Sequence, residues 1–173
     1  SHCQLSPKPP TSKSAPDLSG FSKSLSALTQ LTHLNLSGNY LLRGPGCKKL
    51  GLALHHLTQL THLDVRWNEL DDPGCEDLIQ EMGPLPCLHT FLLSENVHVT
   101  EWGCRALVPL LTVPTLRHLE ARNINGIPLQ DVNHLTHLDI QTTSEQNNEF
   151  GALLLTQTNL KTLKLSAEYM ADF

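Results

Sequence analysis

The hexapeptide LTHLNL at residues 31–36 returns as LTHLDV at 60–65 and as LTHLDI at 135–140. Looser copies, LHTFLL, LRHLEA and LKTLKL, begin at residues 88, 116 and 160. Leading residues at 31, 60, 88, 116, 135 and 160 are spaced by 29, 28, 28, 19 and 25 residues. A period of this size is the signature of a repeat architecture, in which each unit cannot bury its apolar face alone. Within a hexad the apolar residues alternate with polar ones, the pattern of a strand with one buried face. Leu31, Leu34 and Leu36, and likewise Leu60, Leu63 and Val65, are therefore expected to point inward as ladders shared between neighbouring units.

The segment after each strand repeats as well. Pro45-Gly46-Cys47-x-x-Leu50, Pro73-Gly74-Cys75-x-x-Leu78 and Trp102-Gly103-Cys104-x-x-Leu107 hold the same offsets. Asn39, Asn68 and Asn96 each stand eight residues after their leading leucine. An asparagine there is placed to satisfy backbone groups where the chain leaves the strand. Leu50, Leu54 and Leu57 recur at helical spacing. Asp72 is the expected N-cap of a helix with Pro73 at its first position, and Thr100 the cap of the next, ahead of Glu101. Gly83-Pro84-Leu85-Pro86 is the expected stop of the second helix.

These residues resemble the leucine-rich repeat, L-x-x-L-x-L-x-x-N, over roughly residues 25–173. The 28–29 step and the G-C-x-x-L helix look like the ribonuclease-inhibitor type, found in nucleotide-binding immune receptors and in Ran GTPase-activating proteins. The resemblance implies a right-handed α/β solenoid, a horseshoe arc with a parallel sheet on its concave face and helices or loops on the convex one. It also implies a protein partner. The Ran-activator branch would require an Arg or Asn on a loop beside the strand ends, where Arg43, Arg66 and Asn68 stand.

Two regions depart from the period. Residues 1–17 carry Pro7, Pro9, Pro10 and Pro16 among serines and read as a flexible tail or linker. The leucine-rich-repeat domain is then 18–173, about six repeats, with residues 18–30 as the helix that ends a preceding unit. The short step over 116–134 leaves no room for a full helix, and Asn123-Ile124-Asn125-Gly126-Ile127-Pro128 reads as a loop. The polar run 141–149 replaces the asparagine motif of the following turn. Phe173 ends the sequence without a recognisable cap, consistent with a piece of a larger chain or complex, or with a frayed end.

The net charge is −5, which speaks against a nucleic-acid partner, and no apolar run approaches the ~20 residues of a membrane helix. Cys47, Cys75 and Cys104 hold equivalent positions on successive helices. Helix axes 8–10 Å or so apart keep such residues beyond disulfide reach, so they read as small apolar plugs. Free thiols and the lack of a signal peptide place the chain in the reducing cytoplasm. No nucleophile elbow, phosphate loop or zinc-protease motif occurs. The chain reads as a non-enzyme without cofactor or metal.

On the open face, the third hexad positions form a column of His33, His62, Thr90, His118, His137 and Thr162. Three readings of these histidines stand open: a solvated surface, an interface that weakens or strengthens as histidine protonates, and a metal site shared with Asp64 or Asp139. The fifth positions are largely acidic. Trp67 follows the strand at its rim, and Trp, Tyr and Arg are the types most often found as interface hot spots. The expected partner-binding set is His62, Asp64, Arg66, Trp67, Glu120, Arg122 and Asp139, acting through contact and charge complementarity. Two other functions stay open: a structural subunit held by its solenoid ends, and GTPase activation.

Overall fold

The computed structural model describes residues 18–39, 42, 44–122, 124, 126–127, 133–142 and 158–167. The proline-rich stretch 1–17, Tyr40, Arg43, most of the polar run 141–149 and Phe173 lie outside these residues, as does part of the 123–128 loop.

Six strands follow one another in chain order in a single sheet: β1 His33–Asn35, β2 His62–Asp64, β3 Thr90–Leu92, β4 His118–Ala121, β5 His137–Thr142 and β6 Thr162–Ala167. Every pairing is parallel. The register aligns equivalent hexad positions without a slip, so His33 meets His62 and Leu63 meets Phe91. Parallel neighbours require a crossover, and helices supply it on one side: α1 Ser19–Ser26, α2 Pro45–Leu54, α3 Asp72–Met82, then the short α4 Glu101–Arg105 and α5 Val108–Leu111. Between β4 and β5 the described residues form turns and no helix, as the short repeat step requires.

The core lies between sheet and helices. Leu60, Leu63, Leu88, Phe91, Leu116 and Leu119 form the strand-side ladder, and Leu50, Leu54, Leu57 and Leu78 close it from the helices. Each fully buried leucine contributes about 1.5–3 kcal/mol relative to exposure. Leu31 and Leu34 are only half-buried against this core, because β1 has a strand neighbour on one side alone among the described residues. Cys47, Cys75 and Cys104 form no disulfide and are fully buried at the same turn of successive helices. Burial pushes the thiols of Cys47 and Cys104 up to about 12, and that of Cys75 further. They are packing groups with no thiolate chemistry near neutral pH.

Two helical glycines, Gly103 of the repeated motif and Gly51 just after it on α2, answer to close approach. A Cβ on Gly103 would lie 2.5 Å from an Asp72 carboxylate oxygen, and one on Gly51 2.7 Å from the Leu78 carbonyl. Gly51 thus lets α2 and α3 pack backbone to backbone.

The capping scheme differs from the sequence expectation by one residue. Asp71, not Asp72, caps α3: its backbone is extended and its Oδ1 accepts from the Gly74 N–H at 2.9 Å. Pro73 is consequently second in the helix. Asp72 instead reaches the next repeat, accepting from the backbone N–H and hydroxyl of Thr100, both at 2.7 Å, and from the Gly103 N–H at 3.0 Å. Burial raises the Asp72 carboxyl, but these donors outweigh it and hold the group below the usual carboxylate range. Thr100 caps α4 as expected.

Candidate functional site on the concave face

Strand residues three and five of each hexad stand on the helix-free face, and the loops leaving the strands form its rim. The asparagines build that rim. Asn96 Oδ1 accepts from the N–H groups of Asn68 and Leu70, and its Nδ2 donates to the carbonyls of Val65 and Leu93. Asn68 Nδ2 donates to Leu36, Val65 and Arg66 carbonyls. Both side chains are fully buried, and the turns of the first two repeats are each fixed by the asparagine of their own unit and of the next.

Just before each asparagine the backbone turns left-handed: Gly38 has φ 71°, Trp67 56° and Glu95 66°. Glycine takes this conformation freely, whereas a side-chain-bearing residue there costs roughly 1–2 kcal/mol. Trp67 bears that cost while 58% exposed, on a rung where the preceding repeat carries glycine. Trp102 is 73% exposed with the Arg105 guanidinium 4.7 Å from its ring, so it does not pack between helices.

The charged residues expected to meet a partner first meet one another. Arg66 clamps Asp64 with two bonds, Nε–Oδ1 at 3.0 Å and Nη2–Oδ2 at 2.7 Å. Its Nη1 reaches Glu120 Oε1 at 3.4 Å, across the whole width of β3. Arg122 holds the same Glu120 oxygen at 2.9 Å and approaches Asp139 at 3.8 Å, where Lys164 arrives from β6 at 3.9 Å. Asp64 and Glu120 are left 7% and 8% exposed beneath the arginines. Burial raises the Glu120 carboxyl, but bonds from Arg122 and Ser94 and the two guanidinium charges hold it below the ordinary carboxylate range. Three acids and three bases thus form one neutral chain over five strands. The expected partner-binding set left out Ser94 and also Lys164, which stands in the same fifth-position column as Asp64, Glu120 and Asp139. Ser94 is buried, and its Oγ accepts from the Arg122 N–H at 2.8 Å. A small residue there, flanked by Arg66 and Arg122 on the neighbouring rungs, is the signal that was available.

The histidines pair as their register demands. His33 and His62 stack with ring centres 4.1 Å apart and planes 11° from parallel, and His118 and His137 lie 5.6 Å apart at 44°. The threonine preceding three of them fixes the ring. Thr61 Oγ1 donates to the Thr32 carbonyl at 2.9 Å, so it accepts from His62 Nδ1 at 2.8 Å. Neutral His62 therefore carries its proton on Nδ1 and presents Nε2 as an acceptor. Thr136 treats His137 in the same way. The near-parallel His33 and His62 rings set their in-plane lone pairs side by side rather than converging on one ion. Among the described residues no group of three or more His, Cys, Asp or Glu is arranged to hold a metal.

Burial, then the neighbouring His33 and His89, hold His62 below its ordinary value of 6.5. Burial and His137 do the same to His118, against Glu120 and Asp139. A base that protonates less readily when folded favours the unfolded chain once pH falls below its unfolded value. Stability from this source is complete above about pH 6.5 and declines as pH falls below it. Melts at about pH 7.5 and about pH 5.5 should show a lower midpoint at the acid value, and a smaller drop for His62→Gln. Equal drops in the two proteins would remove His62 from the account.

A single parallel sheet in strict chain order, backed by crossover helices and closed by stacked side-chain ladders, defines an α/β repeat solenoid. The sequence matches the Leucine Rich repeat family over residues 27–51 and 56–78. With the hexads and the buried asparagines in this geometry, the chain folds as a leucine-rich-repeat solenoid. Two solved structures are similar to it. One is leiomodin-1 actin-binding site 2, at 15% identity and TM-score 0.63, covering 84% of this chain and 90% of that one. The other is the tropomodulin C-terminal domain from Caenorhabditis elegans, at 15% identity and TM-score 0.59, covering 82% and 93%. At such identity the likeness concerns the fold. A comparison with curated proteins finds no match. Among the described residues no helix is long and apolar enough to cross a membrane.

Proposed function

We propose that the protein is a non-enzymatic interaction module that binds a protein partner through its concave strands and the rim beside them. The observation that carries this reading is Trp67: an exposed indole held in left-handed backbone, next to an Arg66 fixed on two carboxylates. Local strain at an exposed aromatic is retained where the side chain has work outside the fold. An immobilised Arg–Trp pair presents contact area at little ordering cost, as hot spots do. His62, Asp64, Glu120, Arg122 and Asp139 supply the pre-paired floor beneath it.

Catalysis is less well supported by the same residues. Arg66 is committed to Asp64 and Glu120, and Asn68 to the backbone, so neither stands ready to act on a nucleotide. Buried thiols suit a reducing cytoplasmic setting.

Trp67→Gly separates contact from folding, because glycine suits the backbone of that rung. Its stability should match wild type or exceed it by up to about 1 kcal/mol. Partner affinity should fall by about 2 kcal/mol or more, roughly thirtyfold. Actin is the first partner to try by co-sedimentation, since the leiomodin-1 domain of like fold is an actin-binding site. Affinity capture with wild type and Trp67→Gly side by side extends the search. Identical partners at identical occupancy would dismiss the rim.

A further inference from the structure

Charge is unevenly divided along the chain. Residues 1–63 hold six Lys and Arg and a single acid, Asp17, a balance of +5. Residues 64–173 hold six bases and sixteen acids, a balance of −10. No Asp or Glu occurs from Leu18 to Leu63. Three of the six bases, Lys23, Lys48 and Lys49, stand on the first two helices, which carry no acid and lie on the side of the sheet opposite the concave face. Such asymmetry within one domain points to a partner of opposite sign.

The helices offer it a place. On α1, Ser22, Lys23 and Ser26 recur at helical spacing along one face, and on α2 Lys49 and Leu52 do the same, with His56 two residues past the helix end. The two faces line an open groove between the helices. Its walls are tied at one end: Lys49 Nζ donates to Ser19 Oγ at 2.7 Å, and Ser22 Oγ donates to the Lys49 carbonyl at 2.6 Å. The lysine head is thereby held at the groove and not left to sweep through solvent. Lys48, one residue away, instead pairs with Glu81 of α3 at 3.1 Å and leaves the groove to Lys23 and Lys49. Leu52, 48% exposed, adds an apolar contact beside the charges.

We infer that the α1–α2 groove is a second docking site, for an acidic peptide segment of a protein partner. Carboxylates would meet Lys23 and Lys49, and the chain's aliphatic part would cover Leu52. An extended peptide can lie along a groove between two helical ridges, whereas a bilayer plane meets the ridges first. The site lies on a different surface from Trp67 and does not rest on the concave-face reading.

The test uses the whole 173-residue chain and a short fluorescein-labelled Glu-rich peptide, followed by anisotropy at two salt concentrations. Binding should weaken as salt rises and fall about tenfold or more in Lys23→Glu/Lys49→Glu. Trp67→Gly and Lys161→Glu should bind as wild type does. Lys23→Gln/Lys49→Gln repeats the test should charge reversal disturb folding, which circular dichroism reports. Absence of binding overturns the inference, as does equal loss in Lys161→Glu. So does capture of phosphatidylserine vesicles in preference to the peptide. Peptide-free self-association abolished by the double variant would assign the groove to a second copy of the chain, and would overturn it too.

Discussion

Asn96→Ala lowers the unfolding free energy by about 3–5 kcal/mol, enough to unfold a marginal domain. Its side chain serves four buried backbone groups: the N–H of Asn68 and Leu70, and the carbonyls of Val65 and Leu93. Each buried group left unsatisfied costs about 1–3 kcal/mol, and the four are not additive because the turn relaxes as a unit. Three of the four belong to the preceding repeat. The substitution therefore loosens the joint between units, and the damage should spread into β2 and its rim. Asn39→Ala is the internal comparison: exposed, and bonding the Leu36 and Ser37 carbonyls among the described residues, it should cost about 1 kcal/mol or less. Urea unfolding of the two variants decides the matter. Equal losses would mean the asparagine ladder is ornamental to stability.

The contrast shows what one sequence can and cannot reveal. The spacing of Asn39, Asn68 and Asn96 made the backbone role legible, since residues at one period must stand at one place in the turn. The strand register was legible for the same reason, and His33 beside His62 follows from it. Which carboxylate caps which helix was not legible. Asp71 and Asp72 are adjacent in sequence, and the choice is made by Thr100, 28 residues away, whose N–H and hydroxyl claim Asp72. The reach of Arg66 was hidden for a related reason. Hexad columns place residues on neighbouring strands, but the Arg66–Glu120 contact spans 54 residues and crosses β3. Side-chain length and the small Ser94 on the intervening rung set that contact, not the period. Asp64 and Glu120 were expected to face a partner. They lie under the arginines, so the outer surface of the site is guanidinium and indole before carboxylate.

Phe91→Ala should cost about 3–5 kcal/mol, and Phe91→Leu less than about 1.5 kcal/mol. Phe91 is the fourth residue of the hexad LHTFLL, where the other five copies carry leucine. It is fully buried and sits between Leu63 and Leu119 in the register of β2, β3 and β4. Truncation removes a ring from the middle of the ladder, and the flanking strands are held by their own hydrogen bonds, so the space collapses only in part. Leucine restores the side chain every neighbouring rung uses, and a volume change of this kind is absorbed by repacking of the leucines around it. Because each unit is stabilised by contact with its neighbours, a central cavity uncouples the repeats on either side. Phe91→Ala should then unfold with a shallower denaturant dependence than wild type, as one half opens before the other. A steep single transition with the expected loss would mean the array stays cooperative through β3. Equal costs for Phe91→Ala and Phe91→Leu would mean that packing at this rung depends on the ring itself rather than on filled volume.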